Sequence, residues 1–196
     1  IFERATSSWF MILSDDDLLT DNTYLSRAVA LIRANPSIKF VYGGGYVVDD
    51  ETGHREQLKP PFNGLVSGRE VFLARGTLKP QDIMLCNMVF PVAEARKFGF
   101  LDNEDNLSCD SELYLKLSLI GNAGVIQDPV SIYRFHQGNL IKRVMTSARY
   151  IRGNLDFLVE PYVLAKSRLS EDDLRVHRNN VLFDDVIRGS LLRLAV

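Results

Sequence analysis

Three consecutive carboxylates, Asp15, Asp16 and Asp17, follow directly on the apolar run Trp9-Phe-Met-Ile-Leu13 and the single Ser14. Like charges so close together raise one another's pKa and work against folding unless a cation or a cluster of donors lies beside them. Open α/β sheets bind ligands just beyond the carboxyl ends of their strands, where these side chains are expected to project. Hard oxygen ligands there suit Mg²⁺ or Mn²⁺, held by one or two carboxylates with substrate phosphates completing the shell. The same triplet also reads as a solvated loop in which Asp17 or Thr20 caps the next helix. A fourth carboxylate, Asp110, stands at or near the start of the helix pattern Leu113, Leu115, Leu117, Ile120. An Asp there commonly serves as a helix cap. Arg134 can pair with phosphate through two parallel N–H donors, or with a core carboxylate. His136 taken by itself reads as a hydrogen-bonded structural histidine, while His54 and His177 sit in polar contexts and read as surface residues.

These groups must be positioned by an α/β framework. Phe10 to Leu13 has no alternation and reads as a short strand buried on both faces. Leu25, Ala28, Val29, Leu31 and Ile32 fall at helical spacing, and Asn35-Pro36 stops that helix. Ile38 to Tyr42 is β-rich, so strand, helix and strand predict a βαβ unit with parallel pairing. Gly43-Gly44-Gly45 lacks the Lys-Ser/Thr ending of a phosphate loop and opens no helix; it reads as a strand that bulges or admits another backbone closely. Asp49 to Gly53 supplies turn chemistry. Residues 54–80 read as an irregular connection around one short helix, 68–74. A strand is expected within 82–92, a short helix at 94–98 ended by Gly99, and a strand from Val125, with Asp128-Pro129 as a turn before a further strand at 130–135. Beyond Asn139 the chain reads as a helical extension: a basic helix at 140–150, an apolar segment 155–165 broken by Pro161, and an amphipathic stretch opened by Ser170.

Composition sets further bounds. The 196 residues are 46% hydrophobic and 24% charged, ordinary for a globular protein, and the net charge of -2 gives no electrostatic case for nucleic acid. Two cysteines, Cys86 and Cys109, are too few for a disulfide framework, which makes a reducing, cytoplasmic compartment the default. No apolar stretch approaches the ~18 residues of a spanning helix. The basic helix leaves peripheral association with a membrane surface open, with a solvated charged face as the alternative. Trp9 to Asp17 already resemble the middle of a domain, so an N-terminal part is expected to precede this sequence.

Four segments in this order together resemble the C-terminal two-thirds of a family 2 glycosyltransferase of the GT-A fold, over about Trp9 to Asn139. They are Ser14-Asp-Asp-Asp-Leu-Leu19; Val41-Tyr-Gly43 through Val48-Asp-Asp-Glu-Thr-Gly53; Phe98-Gly-Phe-Leu-Asp-Asn-Glu104; and Asp110-Ser-Glu-Leu-Tyr-Leu-Lys-Leu-Ser-Leu-Ile-Gly121 followed by Tyr133-Arg-Phe-His136. The resemblance implies a Rossmann-type mixed sheet flanked by helices, with residues 1–139 as catalytic core and 140–196 as extension. It also implies inverting transfer of a sugar from a nucleotide-diphosphate donor to a hydroxyl of a saccharide or glycolipid acceptor, as in cell-surface polysaccharide synthesis. Asp15, Asp16 and Asp17 would hold Mn²⁺ or Mg²⁺ on the donor diphosphate with His136 beside them, and Arg134 would belong to the same donor site. Asp110 would be the general base. The family places Glu before that Asp; here the position is Cys109.

The chemistry explains these types. A departing nucleoside diphosphate develops negative charge that a metal offsets as a Lewis acid, and an acceptor hydroxyl needs a carboxylate within hydrogen-bond reach to take its proton. Two readings from other classes remain. One is a receiver-type phosphotransfer domain, in which an acidic cluster binds Mg²⁺ and one Asp accepts phosphate. The other is a sugar-binding module of the same fold without turnover.

Overall fold

A computed structural model describes residues 4–76, 78, 82–102, 106, 108–140 and 148–181, and only the backbone of 148–156. The elements are β1 (Trp9–Phe10), β2 (Leu18–Leu19), α1 (Tyr24–Ala34), β3 (Ile38–Asp49), β4 (Arg55–Leu58), β5 (Gly64–Val66), α2 (Gly68–Leu73), β6 (Met88–Pro91), α3 (Val92–Lys97), α4 (Cys109–Ser118), β7 (Asn122–Phe135), α5 (Ala148–Ala165) and α6 (Glu171–Val181), with short 3₁₀ turns at Ala74–Gly76 and Leu85–Asn87. They build a mixed sheet in the order β1-β6-β3-β7-β2, with β4 added to β3 and β5 to β7. Helix α1 packs on one face; α2, α4, α5 and α6 lie on the other.

Two long strands, β3 and β7, run parallel along almost their whole length and form the spine. Their apolar residues serve both faces. Phe40 and Tyr42 face the larger core with Phe72, Phe90, Leu113, Leu115 and Leu117, whereas Val41 and Ile38 join Tyr24, Ala28 and Val130 beneath α1. Burying an aromatic or aliphatic side chain of this size contributes about 1.5–3 kcal/mol, so this two-sided burial is what holds the spine in the middle of the sheet.

The triple glycine sits where that spine is deformed. Gly43 pairs with Ile126 and Gly44 with Pro129, so Gln127 and Asp128 bulge out of β7. A Cβ on Gly43 would stand 2.5 Å from Val130 Cγ2, and one on Gly44 2.7 Å from the Gln127 carbonyl oxygen. Gly44 is therefore required by close backbone approach, as expected, and Gly43 by the Val130 side chain packed over it. Asp128-Pro129 is correspondingly a bulge within one continuous strand and not a turn between two. Asp128 reaches back to Arg27 on α1, 2.6 Å away.

Several local expectations are corrected. The apolar run before the triplet pairs only over Trp9–Phe10, antiparallel to β6, and Leu13 is exposed. Strands β1 and β3 do not pair, because β6 lies between them and is antiparallel to both; the parallel partner of β3 is β7. Within 54–80, Arg55–Leu58 closes a hairpin on β3 and Gly64–Val66 pairs with β7. The hairpin turn is built as Asp49 predicts, its carboxylate accepting the amides of Glu51 and Thr52 while Gly53 takes φ +69°. The strand expected within 82–92 is confined to Met88–Pro91, after a 3₁₀ turn that carries Cys86 and Asn87. Helix α5 continues through Pro161, since Phe157, Pro161 and Ala165, four residues apart, are all buried on one face and packing outweighs the lost backbone bond. Ser170 does open α6, its Oγ accepting the Asp173 amide. The expected basic helix over 140–150 falls mostly outside the described residues, as does the chain beyond Val181.

The described parts of the C-terminal helices share the main core, through Ala165 and Leu174. Lys116 on α4 fastens α5, lying between Glu112 of its own helix and Glu160. His177 corrects another expectation. It is 2% exposed, stacks on the Phe72 ring at 4.0 Å, and is held below the usual histidine range, at about 4, first by burial.

Candidate active site

After β1, at one edge of the sheet, the chain crosses to β2, which pairs with the C-terminal half of β7. The three acids lie at the end of this crossing, where the Asp17 amide donates to the Ser14 carbonyl and the Thr20 amide to the Val130 carbonyl. They point differently. Asp15 is exposed, Asp16 is partly covered, and Asp17 is 7% exposed. Asp17 Oδ1 accepts the Arg134 amide of β7 at 3.2 Å, and the Cys86 thiol also favours its charged form. Burial, and then the charge of Asp16, push its pKa up to about 6 in spite of these donors. Asp17 is thus no helix cap; the side chain at the start of α1 is Asp21, whose Oδ1 takes the Thr23 amide at 2.8 Å.

His136 reaches Asp16 from the end of β7, its Nε2 3.1 Å from Oδ2. Asn139, 6% exposed, donates from Nδ2 to the same oxygen at 3.2 Å and to the Arg134 carbonyl, while its Oδ1 accepts the His136 amide. Asn139 belongs to this hydrogen-bonded cluster, and nothing in the sequence singled it out. Its only signal was an Asn three positions after a histidine in a glycine-containing turn. Arg134 pairs with a carboxylate, its Nη2 2.6 Å and Nε 3.3 Å from Asp50 in the β3–β4 turn. That hydrogen bond holds the Asp50 carboxyl below its ordinary range.

Asp110 is the second residue of α4, with Oδ1 accepting the Ser111 amide at 2.7 Å. Burial raises its pKa to about 6, against the pull of that amide and of the Arg75 guanidinium. Cys86 and Tyr133 tie it to the triplet. Both are driven up to about 12, first by burial, and each feels the charge of Asp17 as well as that of Asp110. Cys86 and Tyr133 pack in one cluster with Met84 and Leu58, and Cys86 Sγ lies 3.7 Å from Ser131 Oγ. The charges of two carboxylates distant in sequence thus both raise the pKa of these two side chains, after burial. Cys86 was not foreseen beside these carboxylates, since it reads in sequence as an ordinary strand residue, and Tyr133 stands in a segment that carries the resemblance but was given no role there. Cys109, in the position of the family's Glu, is buried enough that its thiol also lies near 12.

The donor chemistry suits a divalent cation. Asp17 is a buried carboxylate whose pKa is raised further by Asp16, and the nearest guanidinium, on Arg134, is engaged with Asp50. Among the described residues no three His, Cys, Asp or Glu side chains form a ready-made metal cage. A site that uses one or two carboxylates and takes its other ligands from phosphate and water does not need one. No helix among the described residues is long and apolar enough to cross a membrane. Compared with known proteins, the chain matches no family model and no curated protein.

Proposed function

We propose that this chain is the catalytic part of an inverting, metal-dependent glycosyltransferase of the family 2, GT-A type, moving a sugar from a nucleotide-diphosphate donor to an acceptor hydroxyl on a saccharide or glycolipid. One observation carries the reading: the acidic turn after β1 is held against the end of β7, where Asp17 Oδ1 accepts the Arg134 amide and Asp16 Oδ2 meets His136 Nε2 and Asn139 Nδ2, and the pKa of Asp110, 93 positions from Asp17 (110 minus 17), is raised by burial as that of Asp17 is. One carboxylate group at a strand end and a separate one on a helix N-terminus form the minimum set for this reaction. The sheet order, with an antiparallel β6 inserted between β1 and β3, favours a GT-A-like core over the receiver-type alternative, which would call for parallel neighbours at the acidic strand.

When bound, Mn²⁺ or Mg²⁺ would supply Lewis-acid stabilisation of the leaving diphosphate. Asp16 and Asp17 would hold it, with Asp15 within the same turn. Asp110 takes the proton of the attacking hydroxyl on a carboxylate oxygen. A base with a pKa near 6 is mostly ionised at neutral pH yet still basic enough to accept a proton in the transition state. Attack from the face opposite the leaving group inverts the anomeric centre.

The test is calorimetry of nucleoside-diphosphate sugars in Mn²⁺, followed by transfer assays with the complete protein. Asp16→Ala removes metal-dependent donor binding. Asp110→Asn keeps donor binding and lowers transfer by about 10²–10⁴-fold, the range of a positioned general base. Unchanged donor affinity in the first variant, or an unchanged transfer rate in the second, would refute the assignment.

A further inference from the structure

His136 offers two ring nitrogens to its surroundings, and the turn that follows it fixes their roles. The backbone N–H of Gly138 points at Nδ1 from 3.0 Å. A backbone amide can only donate, so Nδ1 is an acceptor and bears no proton. The neutral ring then carries its proton on Nε2, which lies 3.1 Å from Asp16 Oδ2. The approach is specific to a glycine, because a Cβ at position 138 would stand 2.9 Å from His136 Cε1 and 3.0 Å from Nδ1. Asn139 closes the same turn from within: its amide donates to the His136 carbonyl, its Oδ1 takes the His136 amide, and its Nδ2 joins Nε2 on Asp16 Oδ2.

A histidine that ligates a metal through Nε2 needs that nitrogen unprotonated, and its other ring nitrogen almost always donates an N–H to a carboxylate, carbonyl or water. Here the polarity is reversed, since Nδ1 accepts and Nε2 donates. We infer that His136 is a positioning residue and not a ligand of the cation: with Asn139 it occupies Asp16 Oδ2 and leaves Oδ1, which has no hydrogen bond among the described residues, for the metal. This deepens the cation-binding half of the proposed function, on which it rests, and departs from the ligand role that the sequence resemblance implies for His136. The turn His136-Gln-Gly138-Asn139 thereby becomes a clamp on a carboxylate, supplying two N–H donors to one oxygen.

Two spectroscopic measurements on the complete protein decide it. In the metal-free protein, nitrogen-15 NMR of the imidazoles reports which ring nitrogen is protonated, and His136 is distinguished from the other two histidines by correlation to its backbone. The Nε2–H form is expected, and an Nδ1–H form would overturn the inference. With Mn²⁺ and a nucleoside diphosphate, electron spin-echo modulation reports any directly bound imidazole nitrogen. None is expected; a strongly coupled histidine nitrogen assigned to His136 would overturn it. Failure of Mn²⁺ to bind, with the Nε2–H form intact, would count against the transferase reading and leave the hydrogen bond to Asp16 standing.

Discussion

Asp17→Asn is expected to make the metal-free protein more stable while removing its hold on a cation. The wild-type carboxyl is pushed up to about 6 in the folded chain from its ordinary 3.8, because it is buried and lies beside Asp16. A raised carboxyl pKa means that the folded state pays a penalty for the ionised form. That penalty is complete above about 6, is relieved as pH falls, and is gone below 3.8. At 1.36 kcal/mol per unit it is roughly 3 kcal/mol at pH 7, of which about half is relieved by pH 5. Asn keeps Oδ1 for the Arg134 amide and removes the charge, so a gain of about 1–3 kcal/mol is expected at pH 7. For a chain of this size that corresponds to about 2–4 °C per kcal/mol in the unfolding midpoint. The assay is urea unfolding in EDTA at pH 7 and pH 5, read as the difference between variant and wild type so that other titrating groups cancel. The gain should be largest at pH 7 and shrink at pH 5, and Mn²⁺ should then stabilise only the wild type. A variant less stable than wild type at pH 7, or a difference that does not change with pH, would refute the claim that Asp17 is held ionised at a cost.

Lys116→Met should be costly, because Glu112 would lose its buried partner; unfolding in urea should show a loss of about 3–5 kcal/mol, as for other broken buried pairs, and a loss below 1 kcal/mol would contradict the burial of that pair. His177, held near 4 by burial, works in the opposite sense from Asp17. The folded state resists its protonation, so stability is lost as pH falls from about 6.5 toward 4, by roughly 3 kcal/mol in all; His177→Phe should flatten that part of the stability profile in urea titrations across this range. Gly43→Ala should destabilise by about 1–3 kcal/mol through overpacking against Val130, measurable by thermal unfolding, and a neutral result would show that the bulge in β7 yields easily.

Some features were legible because they are local. Helix α1 and its stop at Asn35-Pro36, the Asp49–Gly53 turn, Gly99 at φ +68° after α3, and Ser170 at the start of α6 all follow from backbone preference and short-range hydrogen bonding. The close approach at Gly43 to Gly45 was legible too, because a run of three residues without side chains inside a β-rich stretch leaves few other uses. Strand length and neighbours were not. Phe10 to Leu13 has the composition of a buried strand, yet only Trp9–Phe10 pairs, because β6, more than seventy residues later, is the strand that meets it. The polarity of His177 suggested a surface position, and only the placement of Phe72 opposite it made burial favourable.

The sequence by itself determined which residues could do chemistry: a run of acids after an apolar segment, a lone Asp opening a helix, and a histidine after a strand. Side-chain type and local spacing are written along the chain, so these could be named before any fold was known. Tertiary structure decided what each one faces. It turned Asp17 inward onto Cys86 and the Arg134 amide, left Asp15 in solvent, engaged Arg134 with Asp50, and brought Asp110 to act on the same Cys86 and Tyr133. The physical reason is that desolvation and Coulombic coupling depend on distance through space, and here those distances are set by the pairing of β3 with β7 and the crossing from β1 to β2, which no local stretch encodes.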